Sequence, residues 1–218
     1  MQSLNPPIGL LGGTFDPIHF GHLRTALEIR NALNLAEVYL VPCYQPVHRK
    51  LPIATPEQRL AMVSCAVADE PLLKVEDCEI RRQRPSYTIE TIEEFRKNKP
   101  RTPLCLIMGI DALLSFSSWH RWQDILKQCH LVIAHRPQYQ IPHEGVIADL
   151  LKKCLTTDVN VIHETLGGHI ILHPVTPLEI SATDIRKQIA TGHTPRYLLP
   201  EPVLEYIRNH GVYHITGI

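Results

Sequence analysis

The chain has 218 residues, of which 44% are hydrophobic and 20% are charged, a composition typical of a globular α/β domain. Lys and Arg together number 22, as do Asp and Glu, so the net charge gives no reason to expect nucleic acid or an anionic membrane as a partner. No apolar run reaches membrane-spanning length and the N-terminus lacks a signal-peptide pattern, which predicts a cytoplasmic protein.

Predicted strands and helices alternate along the chain. The first apolar run, Ile8–Leu11, ends at Gly12-Gly13 and predicts a buried strand that enters a phosphate-type loop. The later patterns predict, in chain order, a helix over 22–33, a strand over 37–42, a helix over 55–68 and short strands over 72–75 and 79–81. They continue with a helix over 89–97, a strand over 104–108, helical segments up to 128 and a strand over 131–134. The last predicted elements are a helix over 144–155, a strand over 170–173 and helices over 183–190 and 202–209. This alternation favours a mainly parallel sheet covered on both faces, within one domain over 1–218 whose C-terminal helical part begins at about 181.

The six cysteines form no C-x-x-C pair, and most of them lie in apolar runs. This pattern favours unpaired thiols packed as small hydrophobic residues in a reducing compartment, rather than a zinc site or a disulfide framework.

The segment Gly12–His22 reads Gly-Gly-Thr-Phe-Asp-Pro-Ile-His-Phe-Gly-His and follows the first predicted strand. Backbone N–H groups in such a loop can face a phosphate, although the segment is neither a Walker A loop nor G-x-G-x-x-G. His19 and His22 at the helix entry can donate to triphosphate oxygens and stabilise charge on the departing pyrophosphate. Taken alone, the pair is as compatible with ordinary loop histidines, and a metal site is disfavoured because no third ligand lies nearby.

The segment Ile180–Arg186 lies at a predicted helix start near the other end of the chain. Ser181 and Thr183 can cap exposed N–H groups, the helix N-terminus attracts an anion, and Arg186 can reach the same anion. Taken alone, simple capping with a solvated Arg186 is the favoured interpretation.

Together the two segments resemble the motifs of the HxGH nucleotidyltransferase superfamily, and Gly12–His22 resembles that of the bacterial nicotinate-nucleotide adenylyltransferases. Ala182 stands where the second serine of the family motif is common. The resemblance extends from Gly9 to about Tyr213 and implies a Rossmann-like α/β fold, with a doubly wound, mainly parallel sheet and helices on both faces. It also implies transfer of AMP from ATP to nicotinate mononucleotide, which gives deamido-NAD and pyrophosphate, with Mg²⁺ accompanying ATP and no dedicated protein metal site.

The expected site residues fall into three groups. Catalysis is assigned to His19, His22 and Arg186; ATP binding to Gly12, Gly13, Thr14, Phe15, His19, His22, Gly109, Asp111, Ser181, Thr183 and Arg186; and nicotinate-mononucleotide binding to His48, Lys50, Ser86, Tyr87, Thr88, Trp119 and Arg136.

Two segments that resemble the family are expected to contact the acceptor early in the chain. Pro46–Lys50 resembles its Pro-Pro-His-Lys loop, with Val47 and Arg49 as departures, and the alternative is a solvated basic loop. Arg84–Thr88 resembles Gly-Pro-Ser-Tyr-Thr, with Arg84 in place of Gly, and its helix start can offer N–H groups to the nicotinate carboxylate. Here the alternatives are a core contact for Tyr87 and a helix cap for Thr88.

Three further candidates follow later strands. Asp111 can accept from ribose hydroxyls or cap a helix. The indole of Trp119 can stack on the nicotinate ring, whereas core packing is preferred for Trp122. Arg136 can pair with the mononucleotide phosphate or form a surface ion pair.

Several other functions remain open at this stage. The acceptor could be nicotinamide mononucleotide or phosphopantetheine, and the chain could be an ATP-binding sensor without turnover. A class I aminoacyl-tRNA synthetase is disfavoured because the chain is short and lacks a basic surface. The expected partners are small-molecule substrates, without nucleic acid or membrane, and a homo-oligomer is compatible with the sequence.

Overall fold

The computed structural model describes residues 3–47, 50–135 and 142–214. Within them the strands are β1 (Ile8–Gly13), β2 (Val38–Pro42), β3 (Leu73–Val75), β4 (Leu104–Gly109), β5 (His130–His135) and β6 (Ile170–Pro174). The helices are α1 (Phe20–Ala32), α2 (Pro56–Val67), α3 (Cys78–Arg82), α4 (Thr88–Asn98), α5 (Ile110–Leu114), α6 (Trp122–Gln128), α7 (Val146–Cys154), α8 (Val161–Glu164), α9 (Ala182–Ala190) and α10 (Glu201–Asn209), with a 3₁₀ helix over Phe116–Ser118. None of these described helices has the length and apolar character needed to cross a bilayer.

The strands form one sheet in the order β3-β2-β1-β4-β5-β6. β1 pairs with β4, β4 with β5 and β5 with β6, all in parallel. This order is that of the doubly wound Rossmann-like folds and confirms the predicted fold class. The strand order reverses between β1 and β4, and ligands of such sheets bind at the carboxyl ends of the strands beside the reversal.

The chain forms two compact units. The first unit contains the residues up to Gly12, Thr25–Tyr39 and Tyr87–Thr176, and the second contains Gly13–Arg24, Leu40–Ser86 and the residues from Pro177 onward. In the first unit, apolar side chains of β1, β4, β5 and α4 pack into one buried cluster. In the second unit, α2 packs against α10 and β3. The single domain over 1–218 stays a prediction.

The helix boundaries follow the expected capping chemistry. Thr55 is the N-cap of α2, where its hydroxyl accepts from the Gln58 N–H at 3.2 Å while the Gln58 side chain accepts from the Thr55 N–H at 3.0 Å. Pro56 occupies the first helical turn, where the missing N–H of proline costs no hydrogen bond within the helix. Beyond α10, Gly211 has a φ of 61°, in the left-handed region where glycine commonly follows the end of a helix.

One predicted element is wrong and one was missed. Residues 79–81 were expected to form a short strand, but they lie in α3, where Arg81 pairs with Asp77 four residues earlier at 2.6 Å. Cys78, Glu79 and Ile80 are all buried, so burial does not alternate along these residues as it would in a strand with one exposed face. The short helix α8 lies between residues 155 and 170, where no element was predicted. All six cysteines are free, four of them buried and two half-buried.

Candidate active site

In the first unit, two glycines lie at the carboxyl ends of neighbouring strands. β1 and β4 are in register, with Leu11 opposite Ile107, and Gly12 and Gly109 follow along these strands. Within the described part of the chain, a Cβ atom at either glycine would meet nothing within 4 Å. This edge of the sheet therefore leaves space for the close approach of a ligand.

Asp111 follows β4 at the same edge. It lies in the first turn of α5 and is exposed, and the N-cap of that helix is Gly109. Asp111 is therefore not the helix cap, and its carboxylate lies where a doubly wound sheet binds ligands.

The loop after β1 belongs to the second unit and has a strained backbone. Phe15 is 2% exposed and has a φ of 51°, in the left-handed region that is costly for a residue with a side chain. Its ring meets the His22 ring edge to face, with centroids 5.1 Å apart. A Cβ atom on Gly13 would lie 2.8 Å from Cε1 of Phe15. Gly13 is therefore needed to accommodate this ring, a reason different from the expected approach of an anion.

His19 and His22 form a stacked pair at the start of α1. Their ring centroids are 3.8 Å apart, and the His19 backbone N–H donates to Nδ1 of His22 at 3.3 Å. A Cβ atom on Gly21 would lie 3.0 Å from Cε1 and Nδ1 of His19. The glycine between the two histidines therefore lets the imidazoles stack.

The His19 imidazole carries no positive charge at neutral pH. Burial lowers the pKa of His19 from 6.5 to about 4, so its imidazole is neutral at pH 7. Nδ1 of His19 is buried and, among the described residues, has no hydrogen-bond partner. Because Nδ1 of His22 accepts a backbone N–H, a neutral His22 carries its proton on Nε2 and can donate there.

Arg186 connects the two predicted ATP-binding segments within the second unit. It lies one turn into α9, where Ser181 is the N-cap and accepts from the Asp184 N–H. Nη1 of Arg186 donates to the Asp16 carbonyl at 2.5 Å and lies 3.5 Å from the Asp16 carboxylate, and Nη2 donates to Oγ1 of Thr183 at 3.3 Å. The structure thus brings Ser181, Thr183 and Arg186 to the loop that follows β1.

Asp16 was part of the quoted motif but was not assigned a role from sequence. Its carboxylate is 6% exposed and accepts from the N–H groups of Ile53 at 2.9 Å and Ala54 at 3.1 Å. The hydroxyl of Tyr213 donates to the same carboxylate at 2.8 Å. No local pattern could reveal these partners, because Tyr213 lies 197 residues away.

Arg59 was also missed, although the sequence carried a signal. It lies on the apolar stripe of α2 with Met62 and Val63, and all three are fully buried. A charged residue at i with apolar residues at i+3 and i+4 indicates a buried charge with a specific set of partners.

The acceptor-binding candidates are placed in both units. In the second unit, Lys50 is exposed. Ser86 contacts the residues that follow β2: its hydroxyl accepts from the Tyr44 N–H and its own N–H donates to the Gln45 carbonyl, both at 3.0 Å. In the first unit, Tyr87 is the N-cap of α4 and Thr88 is the first helical residue, so Thr88 is not the cap.

The aromatic candidates of the first unit pack on a buried phenylalanine. The Trp119 and Trp122 rings meet Phe116 edge to face at 5.6 and 5.7 Å, and both indoles are half-buried. The Tyr87 ring lies 4.8 Å from that of His120, which brings Tyr87 beside the segment that carries Trp119. His48 and Arg136 lie outside the described residues, so their assigned roles stay predictions.

Known proteins place this chain among the nucleotidyltransferases. The profile of the Cytidylyltransferase-like family matches residues 10–188. The chain is 50% identical over 210 residues to a probable nicotinate-nucleotide adenylyltransferase of Aeromonas salmonicida, an alignment that covers 96% of this chain and 98% of the relative. A protein of the same description from Acidithiobacillus ferrooxidans is 43% identical over 215 residues, which cover 97% and 98% of the two chains. The chain therefore belongs to the nicotinate-nucleotide adenylyltransferase family.

Solved structures agree on the fold. The nicotinic acid mononucleotide adenylyltransferase of Plasmodium falciparum, complexed with NaAD, superposes with a TM-score of 0.72 at 17% identity and covers 96% of this chain and 98% of its own. The same enzyme complexed with APC superposes with a TM-score of 0.70 at 16% identity, with the same coverage. The family and fold confirm the sequence-based assignment to NAD biosynthesis.

Proposed function

We propose that the chain transfers AMP from ATP to nicotinate mononucleotide and that the second unit holds the triphosphate. One observation carries this proposal: His19, His22 and Arg186 gather around the loop Gly13–Asp16, although Arg186 lies 170 residues from Asp16 in sequence. Two imidazoles, one guanidinium and the N-terminus of α9 form a donor-rich site suited to an oligophosphate.

These residues act by positioning and charge stabilisation. The acceptor phosphate is an anion at neutral pH, so its attack on the α-phosphorus of ATP requires no strong general base. As pyrophosphate departs, negative charge grows on its oxygens, and donation from His19, His22 and Arg186 stabilises that charge. Since His19 is neutral at pH 7, it contributes an N–H group and no positive charge.

Mg²⁺ fits this site as a companion of ATP. Among the described residues no group of three His, Cys, Asp or Glu side chains is arranged to hold a metal ion. Mg²⁺ commonly keeps several waters and binds through substrate phosphates, and there it neutralises the charge of the triphosphate. The protein residues that surround the phosphates would then orient the metal–ATP complex.

The acid form of the mononucleotide is the proposed acceptor. The N-terminus of α4, with Ser86 before it and Tyr87 and Thr88 at its start, offers backbone N–H groups suited to a nicotinate carboxylate. Trp119 presents a half-buried indole that can stack on the pyridine ring. Lys50, His48 and Arg136 are proposed to contact the mononucleotide phosphate.

A pyrophosphate-release assay tests the proposal. The purified protein is incubated with ATP, Mg²⁺ and one acceptor at a time: nicotinate mononucleotide, nicotinamide mononucleotide or phosphopantetheine. We expect the highest kcat/KM with the acid mononucleotide. Release with phosphopantetheine alone would refute the acceptor assignment, and ATP binding without release for every acceptor would identify a sensor.

The His22→Ala variant tests the assigned chemistry. We expect kcat to fall about 10²- to 10³-fold, the usual cost of removing one preorganised donor, with little change in the thermal midpoint. Exposed His193, which contacts Thr191 and lies outside the motif, provides the matched His193→Ala control. Near-normal turnover of His22→Ala would contradict the role given to His22.

A further inference from the structure

Arg59 is a fully buried guanidinium outside both family motifs. It has 0% relative exposure and lies in the first turns of α2. Each of its three nitrogen atoms donates to a backbone carbonyl: Nε to Ala54 at 3.3 Å, Nη1 to Thr14 at 2.8 Å and Nη2 to Tyr44 at 2.9 Å. Burying a guanidinium is costly, and it is tolerated here because each nitrogen atom has a carbonyl partner. The segments to which these carbonyls belong show what the arginine joins.

The hydrogen bond from Arg59 to the Thr14 carbonyl fixes a peptide group of the loop Gly13–Asp16, called the phosphate loop below. In a trans peptide the C=O and the following N–H point in opposite directions. The only cis bond among the described residues is Asp16–Pro17, so the Thr14–Phe15 peptide is trans. Because the Thr14 carbonyl faces Arg59, the Phe15 N–H points away from the guanidinium. The Gly13 carbonyl likewise accepts from the Cys43 N–H at 3.0 Å, which turns the Thr14 N–H away from that strand end.

The N–H groups of Thr14 and Phe15 are thus oriented by hydrogen bonds to the carbonyls of the same two peptide groups. Such a pair, next to a residue in the left-handed region, forms an anion-binding concavity. Phe15 has that conformation, with a φ of 51°, and a strained backbone persists only where its surroundings hold it. The hydrogen bond from Arg59 acts on the peptide that adjoins the strained residue.

The same guanidinium also holds both ends of a second loop. Tyr44 and Ala54 flank residues 45–53, the segment that carries the proposed acceptor contact Lys50. Asp16, two residues after Thr14, accepts from the Ile53 and Ala54 N–H groups and so joins the phosphate loop to the same loop end. A displacement of Arg59 would therefore move the loop Gly13–Asp16 and both ends of the segment 45–53 together.

We propose that Arg59 is a positioning residue for adenylyl transfer: it turns the Phe15 N–H toward the triphosphate and fixes the two ends of loop 44–54. This role rests on the proposed function of the Gly13–Asp16 loop as a phosphate site. Arg59 itself contacts no reacting atom and acts through backbone carbonyls.

The Arg59→Lys variant removes the planar arrangement of three donor nitrogen atoms and keeps the positive charge. A single ammonium group cannot reach three carbonyls that lie in different directions around a planar guanidinium. We expect kcat/KM for ATP to fall about 10- to 100-fold, as for other small misplacements of a reacting group, together with weaker binding of a non-hydrolysable ATP analogue measured by calorimetry. The Arg59→Met variant removes the charge together with the donors, and the thermal midpoint of each variant establishes that it is folded before the same measurements are made.

Arg96 offers a matched control in the first unit. Its guanidinium also joins backbone segments, through the carbonyls of Thr102 at 2.8 Å, Gln128 at 2.6 Å and Leu166 at 3.0 Å. Both Arg96→Lys and Arg59→Lys should lower the thermal midpoint, but only in Arg96→Lys should kcat/KM for ATP per folded molecule stay unchanged. A purely structural role for Arg59 would make the two variants alike.

The outcomes separate this proposal from the proposed function. Wild-type kcat/KM and analogue binding in Arg59→Lys or Arg59→Met would overturn the positioning role, as would equal kinetic losses in Arg96→Lys. If the wild type releases no pyrophosphate with any acceptor, adenylyl transfer fails. In that case weaker analogue binding by Arg59→Lys, with normal binding by Arg96→Lys, would still support the positioning role.

Discussion

Replacing Tyr213 with Phe removes one hydroxyl from a buried carboxylate and keeps the ring. Tyr213 is 8% exposed, and its hydroxyl donates to Oδ1 of Asp16 at 2.8 Å. Burial and then the negative charge of Asp16 raise the pKa of Tyr213 above its usual value, so the hydroxyl keeps its proton and remains a donor. Asp16 would retain the two backbone N–H groups of Ile53 and Ala54 and the nearby guanidinium of Arg186.

The expected loss of stability follows from the charge of the Asp16 carboxylate, which accepts the hydrogen bond from Tyr213. A hydrogen bond to an ionised group contributes about 1.5–3 kcal/mol to the free energy of unfolding. For a chain of this size, each kcal/mol shifts the thermal midpoint by about 2–4 °C, so Tyr213→Phe should lower it by about 3–12 °C. Tyr197 is 84% exposed, and Tyr197→Phe should change the free energy of unfolding by less than about 0.5 kcal/mol.

Urea unfolding followed by far-ultraviolet circular dichroism measures both variants. A double-mutant cycle with Asp16→Asn isolates the pair, because the effect of Tyr213→Phe should shrink once the carboxylate is gone. If Tyr213→Phe and Tyr197→Phe are equally stable, the hydroxyl does not stabilise the motif loop, and the reasoning from this contact is wrong.

Three further predictions concern His19, the acceptor and the acid stability. Gly21→Ala should lower kcat with little change in the thermal midpoint, because its Cβ atom would lie 3.0 Å from the His19 ring; unchanged kinetics would contradict this steric role. Trp119→Ala should raise KM for nicotinate mononucleotide more than KM for ATP, and equal changes in steady-state assays would refute the assigned stacking. Burial lowers the pKa of His19 and of His130 from 6.5 to about 4. The folded chain then binds fewer protons than the unfolded chain between these values, so urea titrations should show the free energy of unfolding falling as the pH drops from about 6.5 to about 4. A His130→Gln variant with an undiminished fall would argue against His130 as a source.

The sequence alone determined the features that depend on local chemistry. Periodic apolar positions predicted the strand and helix alternation, including the helix over 55–68 that corresponds to α2. Gly12–His22 indicated a phosphate loop, since its glycines and histidines are close in the chain and their spacing fixes the local geometry. The strand predicted over residues 79–81 is wrong because an i,i+4 ion pair supports a helix there, which a three-residue pattern could not reveal.

Only the tertiary structure decided how these segments support one another. Arg186 reaches Asp16 across 170 residues, Tyr213 reaches the same carboxylate across 197, and Arg59 binds carbonyls of the phosphate loop and of loop 44–54. Neither hydrophobic periodicity nor a local motif specifies such partners, since they depend on which buried polar groups the fold brings within hydrogen-bond distance. The physical reason is that a buried charge is tolerated only where the fold supplies its partners.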